Sequence, residues 1–93
     1  MNATIRILIS GHVQGVSFRA WTEKEARRRR LSGWVRNRRE GQVEAVFSGP
    51  PEAVEAMIEA CRTGPMLARV EAVERFPHDE GITQEVFRVK ETV

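Results

Sequence analysis

The spacing of apolar residues changes several times along this chain, and the order of those changes limits its possible folds most strongly. In residues 4–10, Ile5, Ile7 and Ile9 fall on one face and Arg6 on the other, which is typical of a half-buried strand. Further strand-like runs, bounded by turn-forming residues, occupy residues 34–38, 42–47, 68–75 and 85–90. The chain is therefore predicted to form a sheet.

Two stretches between these strands have helical character. Residues 19–31 contain no Gly, Pro, Val or Ile, with Glu23 and Glu25 early in the stretch and four arginines late, an order that suits the helix dipole. Ser32 and Gly33 are predicted to end this helix. The second helix is predicted to end at Gly64 and Pro65. Its apolar residues recur at i, i+3, i+4 and i+7, and they are Val54, Met57, Ile58 and Cys61.

The order of these elements is βαββαβ with a short extra strand, and it indicates the fold class. Two helical crossovers within one small sheet favour a split βαβ arrangement. We therefore predict an α+β fold, a ferredoxin-like sandwich whose antiparallel sheet carries both helices on one face. A chain of 93 residues can bury one small core, so residues 1–93 are predicted to form a single domain. Because this fold supports many unrelated functions, only the site can indicate the chemistry.

The composition excludes several kinds of site. Cys61 is the only cysteine, which excludes an internal disulfide and a zinc site built from several cysteines. His12 and His78 lie far apart in the sequence, without the spacing of metal ligands. We therefore expect neither a metal nor a cofactor. No run approaches the roughly 18 apolar residues of a membrane span, and the N-terminus lacks a signal-peptide pattern. We therefore expect a cytoplasmic protein with no membrane partner. We also expect it to be a monomer.

The segment from Gly11 to Arg19, GHVQGVSFR, has the features of an anion-binding loop. Glycines such as Gly11 and Gly15 let a backbone curl so that successive N–H groups point inward, and the helix start that follows adds partial positive charge. Arg19 lies at that helix start, where a guanidinium can hold two phosphate oxygens at once. The plainer alternative is an ordinary turn followed by a surface arginine.

A second polar residue stands out on the next predicted strand. Asn37 ends the stretch GWVRN at residues 33–37, and asparagine is disfavoured within strands. Its position requires either an edge strand or a side chain directed at a polar group. Because a side-chain amide both donates and accepts hydrogen bonds, Asn37 is suited to holding a water molecule.

The two stretches GHVQGVSFR and GWVRN closely resemble the signature sequences of the acylphosphatases. Residues 41–44 and 64–70 also match, so the resemblance covers nearly the whole chain. It implies a hydrolase that converts acyl phosphates, which are small-molecule mixed anhydrides, to a carboxylate and inorganic phosphate without a metal or a covalent intermediate. Inorganic phosphate is then both product and inhibitor.

The same resemblance implies a role for each matching residue. Arg19 is expected to bind the phosphate group, and Asn37 is expected to orient the attacking water. The loop whose backbone amides hold the phosphate oxygens is expected to comprise Gln14, Gly15, Val16, Ser17, Phe18 and Arg19. Acyl phosphates carry a good leaving group, so positioning and charge stabilisation can suffice for this reaction.

Seven arginines and no acidic residue lie between residues 27 and 39, which raises the alternative of an RNA-binding module. Such modules stack bases on aromatic residues of the sheet, but this chain is only 6% aromatic and has no tyrosine. We therefore expect a solvated helix end, with Glu23 and Glu25 paired to arginines four residues later, and no nucleic-acid partner. Steering of an anionic substrate is a further possible role for these charges.

A third alternative is a regulatory domain that keeps the fold without activity. The presence of both Arg19 and Asn37 disfavours this alternative. His12 lies in the loop and is expected to face water, with added charge near the phosphate as the alternative. Two other residues, Trp21 and Cys61, are expected to pack in the core. Trp34 is also expected to pack there. For Trp34 alone, the alternative is that its ring forms a wall around the acyl group of the substrate.

Overall fold

The computed structural model describes residues 2–78 and 86–93, and in this part of the chain it contains five strands and two helices. In chain order they are β1 (Ala3–His12), α1 (Phe18–Arg28), β2 (Ser32–Asn37), β3 (Val43–Gly49), α2 (Pro51–Cys61), β4 (Arg69–Pro77) and β5 (Arg88–Val89). This order confirms the predicted α+β, ferredoxin-like fold with a short extra strand. Glu85, at the start of the last predicted strand, lies outside the described residues.

The strands form one sheet in the order β4-β1-β3-β2-β5. Neighbouring strands among the first four run antiparallel, as predicted. The prediction of a wholly antiparallel sheet is wrong at β5, which pairs parallel to β2, with Trp34 opposite Arg88 and Val35 opposite Val89. The pairing is parallel because of the strand directions. Strands β1 and β2 run in the same direction, and β4 runs opposite to both. Strand β5 runs opposite to β4, so it has the same direction as its neighbour β2.

The core lies between one face of this sheet and the two helices. Ile7 and Ile9 of β1 lie opposite Ala45 and Val43 of β3, and all four side chains are fully buried. The helix residues buried against this face are Phe18, Thr22 and Ala26 of α1 and Val54, Met57, Ile58 and Cys61 of α2. Both helices therefore cover the same face, and the predicted apolar stripe of α2 is confirmed.

The predicted packing residues are buried, but on both faces of the sheet. Cys61 is fully buried in the core, and this burial raises the pKa of its thiol to about 12. Trp21 packs against the core from its edge. Trp34 lies on the sheet face away from the helices, where its ring is 4.6 Å from the Arg36 guanidinium carbon and 4.8 Å from Lys90 Nζ. It is therefore a packing residue, as predicted.

Helix α1 ends earlier than the sequence predicted. It stops at Arg28, three residues short of the predicted end, because Arg30 adopts a left-handed conformation with φ +58°. The N–H of Leu31 then donates to the carbonyl of Ala26 at 2.9 Å, as in a Schellman cap. The predicted stop at Ser32 and Gly33 is therefore wrong, since both residues lie in β2.

Candidate active site

The loop between β1 and α1 presents a series of backbone donors. Gly15 and Ser17 adopt left-handed conformations, with φ +75° and +65°, and α1 begins directly afterwards at Phe18. Within the described part of the chain, no acceptor is hydrogen-bonded to the backbone N–H groups of residues 14–20. Because the positive end of the helix dipole lies at the same point, the loop is arranged to receive an anion.

Arg19 lies on the first turn of α1, beside this loop. Its side chain is half-buried, and it forms no ion pair or hydrogen bond with any residue that the structure describes. The other two arginines of α1, Arg27 and Arg28, are both paired with acidic residues of the same helix. Arg19 is therefore a cation whose fork of donors is available to a ligand.

Asn37 is the last residue of β2 and lies opposite Val43 of β3. Its backbone carbonyl accepts a hydrogen bond from the N–H of Val93 at 3.2 Å. Its side-chain amide makes no hydrogen bond to another described residue, although it is half-buried. The amide thus has donors and an acceptor available at the end of the strand.

One cavity brings these predicted residues together. Its volume is about 520 Å³, which is within the range of small-molecule sites. The residues that line it come from the loop, the first two turns of α1 and the ends of β2 and β5, and they are Val13, Gln14, Gly15, Ser17, Phe18, Arg19, Ala20, Glu23, Asn37 and Val89. Of the predicted loop residues only Val16 is absent, because its side chain is buried in the core.

Gln14 ties the loop to the strand end that carries Asn37, a role that the sequence did not indicate. Its Nε2 donates to the carbonyl oxygen of Arg38 at 2.7 Å and to that of Gln42 at 2.9 Å. These two carbonyls lie across the turn from β2 to β3. No local pattern could have indicated this role, because the acceptors lie 24 and 28 residues away in the chain.

The start of α1 is fixed by packing beneath the loop. Phe18 is 2% exposed, and its carbonyl accepts a hydrogen bond from the buried Thr22 hydroxyl at 2.8 Å. The Phe18 ring meets the Trp21 ring edge to face, with the centroids 5.4 Å apart. Gly64 approaches the same ring so closely that a Cβ there would lie 2.6 Å from Cε2 of Phe18. The backbone donors therefore sit on a firmly packed helix end.

The arginine run, meaning the seven arginines between residues 27 and 39, is largely ion-paired with acidic residues. Glu23 pairs with Arg27 at 3.2 Å, and Glu25 pairs with Arg29 at 2.7 Å, so both predicted i+4 pairs are present. Hydrogen bonds from Arg28 and Arg29 lower the pKa of Glu25. His12 is exposed, as predicted, and does not line the cavity. Its predicted place in the loop is wrong, because it is the last residue of β1 and pairs with Arg69 of β4.

Two further observations concern metals and membranes. Among the residues that the structure describes, no group of three or more His, Cys, Asp and Glu side chains could hold a metal ion. Within the same residues, neither helix has the length and apolar character needed to cross a membrane.

Comparison with known proteins identifies the family. The sequence profile described as Acylphosphatase matches residues 5–89. The acylphosphatase of Azorhizobium caulinodans is 55% identical over 93 residues, the full length of both chains. The acylphosphatase structure from Bacillus subtilis has a TM-score of 0.89 at 33% identity, covering 97% of this chain and 99% of the other. The one from Coxiella burnetii has a TM-score of 0.88 at 34% identity, covering 96% and 93%. With its loop, arginine and asparagine around one cavity, the chain belongs to the acylphosphatase family.

Proposed function

We propose that the cavity binds an acyl phosphate with its phosphate group against the backbone amides of residues 14–19, and that Arg19 and Asn37 carry out its hydrolysis. The observation that carries this proposal is the set of donors around the cavity that have no acceptor in the described protein. Loop amides, a guanidinium and a carboxamide all face one volume of a size suited to a small molecule.

In this mechanism the loop and Arg19 hold the phosphate oxygens. Two guanidinium N–H groups and several amides spread over these oxygens, where negative charge is concentrated as the reaction proceeds. Asn37 accepts a hydrogen bond from a water molecule and holds it in line with the bond to be broken. The water oxygen attacks phosphorus, the P–O bond to the acyl group breaks, and the carboxylate leaves with the electron pair. The water protons pass to phosphate and to solvent.

Gln14 is a positioning residue in this scheme. The phosphate and the water are held by different elements, the loop with Arg19 and the end of β2. The two hydrogen bonds from Gln14 join those elements, so they set the distance between the nucleophile and phosphorus.

Release of inorganic phosphate from benzoyl phosphate in the presence of excess EDTA tests the activity. Steady turnover with competitive inhibition by inorganic phosphate is expected. In water labelled with a heavy oxygen isotope, the label is expected in phosphate and not in benzoate. Label in benzoate would contradict attack at phosphorus, and activity that depends on added metal would contradict the scheme as a whole.

We also propose that the protein acts as a monomer in the cytoplasm. The loop, Arg19 and Asn37 already supply every group that the proposed mechanism uses, and the lone cysteine is buried as a free thiol. Membership of the family does not favour the RNA-binding and regulatory alternatives, and the ion pairs of the arginine run leave few of its charges for a nucleic acid.

A further inference from the structure

The cavity is larger than a phosphate group, and it continues away from the loop along α1. A phosphate in the loop occupies only part of the 520 Å³. The remaining part is bounded by Ala20 and Glu23 on α1 and by Val89 on β5. Since the substrate of the proposed function is a phosphate joined to an acyl group, this part of the cavity is where the acyl group would lie.

Glu23 places a carboxylate, ion-paired with Arg27, in the lining of this region. Arg19 and Glu23 are four residues apart on α1, so they lie on one helix face about 6 Å apart along the axis. Both line the cavity. A substrate whose phosphate is held by Arg19 has room to extend its acyl group along this face of α1, past the Glu23 carboxylate.

Arg27 holds both walls of this region in place. Its guanidinium pairs with the Glu23 carboxylate at 3.2 Å, one further turn along α1. The same guanidinium donates to the backbone carbonyl of Phe87, from Nε at 3.2 Å and from Nη2 at 3.0 Å. Phe87 is fully buried two residues before Val89. Arg27 thus fixes the orientation of the carboxylate and the position of the strand that faces it.

We propose that Ala20, Glu23 and Val89 form the binding site for the acyl group, and that Glu23 selects against acyl groups that carry a second negative charge. This inference rests on the proposed function, because it takes the phosphate position from it. The substrate class is that of acyl phosphates with a neutral or cationic acyl group. Apolar carbons contact Val89 and Ala20, and the far end of the acyl group meets the carboxylate.

A pair of matched substrates tests the inference. The para-carboxybenzoyl and para-carbamoylbenzoyl phosphates have nearly the same shape and differ by one negative charge at the end of the ring. The ratio of their kcat/KM values is measured for the wild-type protein and for variants, so that their different intrinsic reactivities cancel. For wild type we expect preference for the carbamoyl compound, and Glu23→Gln should reduce that preference by about threefold to tenfold.

Glu25→Gln is the matched control. Glu25 lies on the same helix and is ion-paired with arginines, but it does not line the cavity, so the ratio should stay at the wild-type value. Glu23→Lys should shift the ratio further, in favour of the carboxylated substrate, and it provides a second measurement if the first variant is unstable.

The outcomes separate this inference from the proposed function. The proposed function and this inference are both supported if benzoyl phosphate is turned over and the kcat/KM ratio of the two matched substrates changes in the Glu23 variants but not in Glu25→Gln. Turnover with the same ratio in wild type, Glu23→Gln and Glu23→Lys overturns the acyl site and leaves the proposed function in place. Equal changes in the Glu23 and Glu25 variants also overturn it, because they would show a general effect of helix charge. Absence of any acyl phosphate turnover overturns the proposed function and this inference with it.

Discussion

At the scale of single residues, Arg19 gives the sharpest test, because lysine keeps its charge and removes only the planar fork. A lysine ammonium cannot hold two phosphate oxygens in fixed positions. We expect Arg19→Lys to lose activity by far more than tenfold, on the order of several kcal/mol in the activation free energy. Inorganic phosphate should also cease to inhibit.

The melting temperature of Arg19→Lys should stay close to that of wild type, since the side chain has no partner among the described residues. Thermal unfolding followed by circular dichroism checks this point beside the kinetic assay. A variant that retains more than about a tenth of wild-type turnover would refute bidentate phosphate binding by Arg19.

Asn37→Ala should separate catalysis from phosphate binding. The change removes the amide proposed to hold the water, and it leaves the loop and Arg19 intact. Its backbone carbonyl keeps the hydrogen bond from Val93. We expect kcat to fall by about 100-fold or more, with little change in the inhibition constant of inorganic phosphate. If phosphate inhibition weakens as much as turnover falls, Asn37 binds phosphate and its proposed role is wrong.

Residue type and spacing were enough to identify Arg19 and Asn37 as candidates, because an arginine at a helix start and an asparagine in a strand are each conspicuous in the sequence. The contribution of Gln14 could not be found in this way. Its two acceptors are backbone carbonyls, which have no sequence signature, and they come close only when β2 and β3 form their turn.

At the scale of elements, Gln14→Ala tests whether the loop and the β2 end must be joined. Loss of two hydrogen bonds should destabilise the fold by about 1–3 kcal/mol and lower kcat by about 10- to 100-fold well below the melting temperature. Ile58→Val, in the core of α2, is the control for stability, because it should cost about 1 kcal/mol with full activity. Equal activity losses in both variants would show that Gln14 contributes to stability only and does not position the site.

Gly33 and Gly41 form a matched pair for the β2–β3 hairpin. Both have positive φ, +129° and +105°, but a Cβ at Gly33 would lie 1.8 Å from the Val46 carbonyl oxygen, whereas nothing lies within 4 Å at Gly41. Gly41→Ala should cost about 1–3 kcal/mol from backbone strain alone. Gly33→Ala should cost more than about 4 kcal/mol, because two paired strands must separate. Urea denaturation measures both, and similar losses would contradict this account.

The elements themselves were largely predictable, and their ends were not. The apolar stripes of α2 and β1 predicted both elements because periodicity reflects burial directly. The end of α1 was missed because Arg30 adopts a left-handed conformation that glycine usually supplies. The parallel pairing of β5 was missed because strand direction depends on the topology of the whole sheet.

At the scale of the whole molecule, Glu44 joins three strands on the sheet face away from the helices. It is 4% exposed and pairs with Arg6 of β1 at 2.9 Å, Arg36 of β2 at 2.8 Å and Arg38 at 3.3 Å. Burial raises the pKa of Glu44, but the hydrogen bonds and charges of these arginines outweigh it and hold the pKa below its ordinary value of 4.5.

This lowered pKa predicts how stability depends on pH. Because the folded protein binds the proton more weakly than the unfolded chain, the contribution of Glu44 is complete above the ordinary pKa and is lost as pH falls through the lowered one. Glu44→Gln should cost about 1–3 kcal/mol at neutral pH, and the cost should shrink on acidification below pH 4.5. Melting temperatures from neutral to acidic pH measure this.

Glu55→Gln is the control for that experiment. Its carboxylate pairs with Arg75 on the surface and is 57% exposed, so removal of its charge should have little effect at any pH. A Glu44→Gln cost that stays constant across the acidic range would mean that packing, and not the ionised carboxylate, accounts for the loss.

The interior position of β1 in the sheet has a consequence for how the protein is made. This strand leaves the ribosome before β3 and β4, yet those two later strands supply all its neighbours in the sheet. A nascent chain therefore carries β1 with both edges unpaired until β3 has been synthesised, and one edge stays unpaired until β4 is complete at residue 77. During that time the open edge can associate with other chains. Since the phosphate loop follows β1 directly, the strand that carries this loop is paired on both sides only after β4 has joined the sheet.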